Sequence, residues 1–112
     1  TMFFPEATAE QMQWFNELQQ VSASPGNAGR MLEASYELDV TAAARKITTP
    51  TLILHCNRDA RVPFEAGREL AAMIRGARFV SLDSGNHIPL EHEPAWAQFL
   101  DELRRFTAET AA

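Results

Sequence analysis

The chain has 112 residues and no internal repeat, which favours one small domain with a modest core. Its formal net charge is -5 with acids and bases interspersed, so no basic stripe is available for nucleic acid. The single cysteine, Cys56, excludes an internal disulfide and a cysteine-rich metal site, and it fits a reducing cytoplasm. No apolar run approaches the roughly 20 residues that a bilayer crossing requires. We therefore expect a cytoplasmic protein without membrane contact.

The first half of the chain predicts helices. An apolar stripe at spacings of three predicts a helix from about Thr8 to Val21, its members being Met12, Phe15, Leu18 and Val21. The stretch SASPGNAG, residues 22–29, is dense in turn formers and predicts a break. A second helical run then ends near Leu38, and Asp39 is a candidate cap for a short third helix.

The second half alternates strands and helices. The apolar run TLIL, residues 51–54, suits a strand that is covered on both faces, as in parallel sheets. A helix with Gly67 on its packed face, ended by Gly76, leads to a second short strand, ARFVSL. Pro94 then opens a helix with an apolar stripe, comprising Trp96, Phe99, Leu100, Leu103 and Phe106. This βαβα order predicts an α/β fold with two parallel strands and a right-handed crossover.

Two parallel strands alone make an incomplete sheet, because both edges keep unpaired backbone groups. We expect the sheet to be completed by residues outside this chain or by a second copy, in a homodimer or a domain-swapped assembly. The chain also opens with TMFFPEAT and lacks an initial Met. We therefore expect a fragment of a longer protein.

Polar candidates follow both predicted strands. Asp59 lies in the loop after PTLILHC, and His87 lies in the loop after ARFVSL. Functional groups of open α/β sheets collect at the carboxyl ends of the strands, so we expect these two side chains to meet. An Asp that accepts the Nδ1 proton of a His fixes the tautomer and leaves Nε2 as a base. Asp83 is an alternative partner for His87.

The segment from Pro50 to Phe106 resembles the α/β-hydrolases. A PTLILH strand, a DARVP loop, a helix, a short strand and a GNH loop follow the order of that family's last two core strands. The resemblance implies that Asp59 is the acid and His87 the base of a catalytic triad. It also implies that residues 1–49 are helical segments from the end of a cap, and that residues 50–112 are the C-terminal βαβα part of the core.

Two features depart from the family. The family usually has Gly directly before the histidine, whereas Asn86 separates Gly85 from His87 here. Because Asn tolerates left-handed backbone, we expect the turn to be kept. No G-x-S-x-G motif occurs, and we expect that none of the chain's serines is the nucleophile, namely Ser22, Ser24, Ser35, Ser81 and Ser84.

Two functions remain open. In the first, the chain is the C-terminal fragment of an esterase-like hydrolase, supplies the acid and histidine for serine-type ester hydrolysis, and is inactive alone. In the second, it belongs to a non-catalytic ligand-sensing domain, since SGNHIPL and SYELDVT are similar to α/β-hydrolase domains fused to LuxR-type transcriptional regulators or adenylate cyclases. Both functions imply a small apolar or ester-like ligand in the complete protein. Neither requires a cofactor or a metal.

The other polar candidates are expected to be structural. His55 lies inside the first strand and is predicted to be a core residue with its hydrogen bonds made. His92 is predicted to lie on the surface, because a metal needs more convergent ligands than its surroundings offer. Cys56 is predicted to be a small core residue rather than a nucleophile. Arg58 and Arg61 are predicted to be solvated loop charges.

Overall fold

A computed structural model describes residues 2–111, which divide into two compact units. One unit comprises residues 7–40, and the other comprises residues 2–6 together with residues 41–111. The elements in chain order are α1 (Ala9–Ser22), α2 (Pro25–Tyr36), α3 (Thr41–Ala44), β1 (Leu52–Cys56), α4 (Phe64–Met73), β2 (Arg78–Leu82) and α5 (Pro94–Thr110). The chain therefore has the predicted α/β class, with a small parallel sheet of two strands among the described residues.

The helix α1 begins and ends close to the predicted bounds. A capping box starts it, in which the Thr8 hydroxyl accepts the Gln11 N–H at 3.2 Å and the Gln11 side chain accepts the Thr8 N–H at 2.9 Å. The apolar stripe does not make a buried face, because no residue of α1 is buried and Val21 is 82% exposed.

The helix α2 corrects the predicted break at residues 22–29, because it already begins at Pro25. The Ser24 hydroxyl accepts the Asn27 N–H at 3.2 Å and so caps the helix. Proline suits the first helical position, where its missing N–H has no partner in any case. Ser-Pro therefore acts as a helix start, although the same residues are also typical of turns.

The predicted third helix is a single turn, Thr41–Ala44. The N–H of Lys46 bonds to the carbonyl of Ala43, and that of Ile47 bonds to the carbonyl of Ala44. Each bond spans three residues instead of four, which tightens the backbone and ends the helix.

β1 and β2 pair in parallel, and Cys56 stands opposite Leu82 in the register. Successive side chains of a strand point to opposite faces of the sheet. On one face, Cys56 and Leu82 form the buried core with Ala95 of α5. Half-buried apolar side chains pack against this core, namely Leu54, Val80 and Phe99. This face of the sheet is therefore covered by α5.

The opposite face of the sheet is covered by α4. The Phe64 ring lies 5.6 Å from the imidazole of His55 and 5.3 Å from the ring of Phe79. Gly67 is buried against the same imidazole. Both faces of β1 are covered, as predicted, although residues 52–54 are only half-buried in the part of the chain that is described.

The helix α5 carries its predicted apolar stripe along 17 residues. Trp96 stacks on Phe99 at 5.6 Å between ring centroids, and Phe99 packs on the core. Near the other end, the Arg78 guanidinium lies 6.0 Å from the centroid of the Phe106 ring. Across residues 2–111, no helix has both the length and the apolar character that crossing a bilayer would need.

The substitution Gly67→Ala tests the close approach of α4 to β1. An added Cβ would overlap the His55 ring, lying 3.0 Å from its Cγ. Because the ring is held by a hydrogen bond to Val62, we expect the free energy of unfolding to fall by about 1–3 kcal/mol. Urea unfolding followed by circular dichroism measures the change.

Gly29→Ala in α2 is the matched control. Nothing lies within 4 Å of an added Cβ at Gly29, and alanine favours helix more than glycine does. We expect this variant to be as stable as the parent or slightly more stable. Equal unfolding midpoints for the two variants would contradict the close packing of α4 on β1.

Candidate functional site

The Asp59 carboxylate is held by the backbone of its own loop. Its Oδ1 accepts the N–H of Arg61 at 2.8 Å and the N–H of Val62 at 3.0 Å, and the side chain is 1% exposed. Burial by itself raises the pKa of Asp59, but the hydrogen bonds from Val62, His87 and Arg61 lower this pKa below its ordinary value. Asp59 is therefore a buried carboxylate that is ionised at neutral pH.

The second carboxylate oxygen of Asp59 contacts His87. The distance between Oδ2 and the His87 Nδ1 is 2.8 Å. An ionised carboxylate only accepts hydrogen bonds, so Nδ1 carries the proton and donates it. In a neutral imidazole this leaves the lone pair on Nε2. The His87 side chain is 32% exposed, so part of it remains in contact with solvent.

Asp83, the alternative partner, lies elsewhere. Its Oδ1 is 3.4 Å from the Arg58 guanidinium and 3.4 Å from the amide nitrogen of Asn57, and its side chain is 83% exposed. Arg58 also donates to the Glu6 carboxylate at 2.7 Å. Arg58 is therefore more than the solvated loop charge that the sequence predicted, because it connects the first residues of the chain to the loop after β2.

His55 is a second histidine beside Asp59. It is 9% exposed, and its Nε2 lies 2.9 Å from the Val62 carbonyl oxygen, which only accepts, so Nε2 carries a proton. The same nitrogen lies 3.6 Å from Asp59 Oδ2, which is beyond hydrogen-bond distance. His55 is thus the predicted core histidine, and it also braces the Asp59 loop. A polar residue inside an apolar strand, four positions before the acid, was the available signal.

Glu93 is a site residue that sequence reasoning missed. It stands at the N-cap of α5, but its carboxylate turns back to the loop after β2. Its oxygens accept the Ser84 hydroxyl at 2.6 Å, the Asn86 amide at 2.9 Å and the Leu90 N–H. Burial raises the pKa of Glu93, but the hydrogen bonds from Leu90, Ser84 and Asn86 lower this pKa below its ordinary value. An acidic residue directly before a helix-starting proline was the only signal.

The turn before His87 is kept, but not by left-handed backbone at Asn86. Among residues 2–111, the only positive φ belongs to Gly76. Asn86 is instead 0% exposed, and its amide is hydrogen-bonded at both ends. Hydrogen bonding by a buried side chain, rather than a permissive backbone conformation, therefore holds this turn.

The hydroxyls of four of the five serines make hydrogen bonds within the fold. Those of Ser22 and Ser35 run to carbonyls of the preceding helical turn, Ser24 caps α2, and Ser84 binds Glu93. Ser81 lies within β2, opposite His55 in the register. None of these serine contacts involves the His87 ring.

Cys56 is a core residue, as predicted. It is 1% exposed, and burial is the main cause that raises the pKa of its thiol to about 11. The thiol donates to the His87 carbonyl at 3.7 Å. His92 is exposed, in agreement with its predicted surface position. Within residues 2–111, no group of three or more His, Cys, Asp and Glu side chains is arranged to hold a metal ion.

The chain is similar to proteins that are named as hydrolases. It is 34% identical to the pyrrolizixenacetamide deacetylase of Xenorhabdus hominickii over 77 residues, which cover 69% of this chain and 28% of the relative. It is 32% identical to the putative carbamate hydrolase RutD of Stutzerimonas stutzeri over 88 residues, which cover 77% and 33% of the two chains. A second putative carbamate hydrolase RutD, from Pseudomonas savastanoi pv. phaseolicola, is 36% identical over 61 residues, which cover 54% of this chain and 24% of the relative.

The chain thus spans a third or less of the length of these curated relatives. No family model and no solved structure gives a match. The comparisons therefore support a hydrolase-like relative at low identity.

Glu93→Gln should lower stability in a way that depends on pH. The folded pKa of Glu93 is lowered, so its contribution is present above the ordinary glutamate value of about 4.3 and is lost as pH falls through the folded pKa. At pH 7 we expect the free energy of unfolding to fall by about 1–3 kcal/mol, because hydrogen bonds to a charged acceptor are weakened. The difference between the two proteins should shrink as the pH falls below the ordinary glutamate value and through the lowered folded pKa of Glu93.

Urea unfolding of the parent and the variant at several pH values measures this difference. Glu91→Gln is the matched control, because it neutralises an exposed neighbour. We expect little change for the control at any pH. A Glu93→Gln effect that stays the same from pH 7 to pH 3 would contradict a stabilising ionised carboxylate.

Proposed function

We propose that the chain supplies the acid and the base of serine-type ester hydrolysis, as the C-terminal part of an α/β-hydrolase core. Asp59 is the acid and His87 is the base. The nucleophilic serine comes from a part of the protein outside these 112 residues. The observation that carries the proposal is the 2.8 Å contact between His87 Nδ1 and Asp59 Oδ2. The relatives add support, because a deacetylase and two putative carbamate hydrolases are named as hydrolytic enzymes.

Proton transfer follows from the orientation of the His87 ring. Nε2 accepts the proton of the serine hydroxyl as the serine oxygen attacks the acyl carbon of the ester. The imidazolium that forms keeps its other proton on Nδ1, facing the ionised Asp59, which stabilises the positive charge. The lowered pKa of Asp59 keeps this carboxylate from taking up a proton at neutral pH.

The second half of the reaction uses the same atoms. The proton on Nε2 passes to the leaving alkoxide oxygen as the acyl–oxygen bond of the ester breaks. The alcohol leaves, and the acyl group stays bound to the serine oxygen. Nε2 then accepts a proton from water as the water oxygen attacks the acyl carbon. Return of that proton to the serine oxygen releases a carboxylic acid and restores the serine.

The isolated chain should be inactive on short-chain p-nitrophenyl esters, because it has the acid and the base without a nucleophile. Release of p-nitrophenolate, measured against a His87→Ala variant of the same chain, checks this expectation. Turnover by the chain that disappears in the variant would contradict the assignment of the nucleophile to another part of the protein.

The protein expressed from its complete reading frame should hydrolyse such esters. We expect His87→Ala to lower kcat/KM by about a thousandfold or more, and Asp59→Asn by a similar factor through loss of the correct tautomer. His92→Ala is the control, because it removes an exposed histidine. Binding of an ester-like ligand without turnover would contradict catalysis. That result would favour the ligand-sensing function of domains fused to LuxR-type regulators or adenylate cyclases.

The two-stranded sheet supports a proposal about assembly. Its outer edges carry backbone groups that parallel sheets normally pair with neighbouring strands. We expect the isolated chain to form a homodimer or a larger, domain-swapped assembly. Size-exclusion chromatography with light scattering measures the mass, and a monomer at micromolar concentration would contradict this proposal.

A further inference from the structure

Asn86 is a fully buried polar residue directly before the proposed base. It is 0% exposed, and both ends of its amide are hydrogen-bonded. Its Nδ2 donates to Glu93 Oε2 at 2.9 Å, and its Oδ1 accepts the backbone N–H of Glu6 at 2.9 Å. A carboxylate only accepts and an N–H only donates, so these partners allow one orientation of the amide. Asn86 therefore connects the start of α5 to the first residues of the chain.

Residues 3–6, called the strap here, run across the loop that carries the proposed base. The Phe3 carbonyl accepts the His87 N–H at 2.6 Å. The Phe3 ring lies 5.4 Å from the His87 imidazole at an interplanar angle of 78°. The Glu6 carboxylate accepts the Gly85 N–H at 3.3 Å. The strap thus contacts three successive residues of the loop, and two of its contacts are to His87 itself.

The arrangement makes the strap depend on a side chain at position 86. Glycine, which the resemblance leads one to expect before the histidine, has no amide to join Glu6 to Glu93. Without that link, the strap would keep its contacts to the half-exposed Arg58, to the Arg61 guanidinium 5.4 Å from the centroid of the Phe3 ring, and to His87 and the backbone of its loop. Water competes more easily for the exposed charged groups among them than for a buried amide. The strap carries both a backbone acceptor and an aromatic ring to His87, so its release would free the base.

We propose that Asn86 is a positioning residue for His87, acting by tying the strap to Glu93. This inference rests on the proposed function, in which His87 is the base. Asn86 touches neither the imidazole nor a substrate; it holds Phe3 in place, and Phe3 holds His87. The orientation of Nε2 then depends on a hydrogen bond whose two partners, Asn86 and Glu6, are 80 positions apart in the sequence.

Asn86→Gly in the 112-residue chain is the direct test. Long-range ¹H–¹⁵N spectra of the histidine rings report the tautomer of His87, and amide hydrogen exchange reports the His87 and Glu6 N–H groups. We expect the parent to show the Nδ1–H tautomer. In the variant we expect averaged tautomers and a loss of protection by about tenfold or more at both amides. Asn27→Ala, which changes an exposed Asn of α2, should leave these signals unchanged.

A second pair of variants keeps the inference testable if Asn86→Gly fails to fold. Glu6→Pro removes the N–H that Asn86 accepts, whereas Glu6→Ala keeps this N–H and removes only the carboxylate. Glu6 is exposed, so neither change alters the buried core. We expect Glu6→Pro to reduce His87 amide protection several-fold more than Glu6→Ala does. Equal effects would mean that the Glu6 carboxylate, and not the bond between the Glu6 N–H and Asn86, holds the strap in place. That result would overturn the role of Asn86.

The spectra separate this inference from the proposed function. A parent chain without the Nδ1–H tautomer would contradict the pairing of Asp59 with His87, and with it the proposed function. A parent with that tautomer and an Asn86→Gly variant with the same ring signals would contradict only the positioning role of Asn86.

Discussion

The parallel pairing of β1 with β2 is the constraint on which the site depends. The two strands end together, so the loops that follow them leave the sheet at the same edge. The pairing also continues past β1, because the Asn57 N–H donates to the Leu82 carbonyl at 2.8 Å. The loops are therefore still joined at the point where they begin to diverge. The contact between Asp59 and His87, across 28 positions of sequence, is a consequence of this register.

Two carboxylates hold the loops, the buried one of Asp59 and the half-buried one of Glu93, and each is stabilised by donors that its own surroundings supply. Leaving an ionised carboxylate in a buried position without donors would be strongly unfavourable. Asp59 takes two backbone N–H groups from its own loop, and Glu93 takes donors from residues 84–90. In both cases the charge and the loop conformation stabilise each other. The geometry of the site is therefore a property of the ionised protein.

The sequence predicted the strands and loops that carry the site better than the hydrogen bonds that hold those loops. The order of strands and loops predicted that Asp59 and His87 would meet, because the direction of a strand determines where its loop emerges, but it left Asp83 open as an alternative partner of His87. The predicted start of α2 was wrong, because Ser-Pro-Gly-Asn is typical of a turn and also of a capped helix. The bond between Asn86 and Glu6 spans 80 residues. No periodicity or local propensity predicts a bond of that separation.

The proposed acid and the proposed base are supported in different ways. The Asp59 carboxylate is held by N–H groups of its own loop, which His55 also braces, although Arg58 of that loop bonds to the Ser84 carbonyl and to Glu6. The loop of His87 is held from outside, by the strap on one side and by Glu93 on the other. Proton transfer is sensitive to small displacements of the base. The loop of His87, which residues outside it hold in place, would therefore set the precision of the proposed Asp59–His87 pair. On the proposed positioning role of Asn86, changes at residues 3–6 or at Asn86 would then alter the orientation of Nε2 while the pairing of the strands stayed the same. The proposed site would thus place its acid through the strand that precedes it and adjust its base through residues 3–6 and the start of α5.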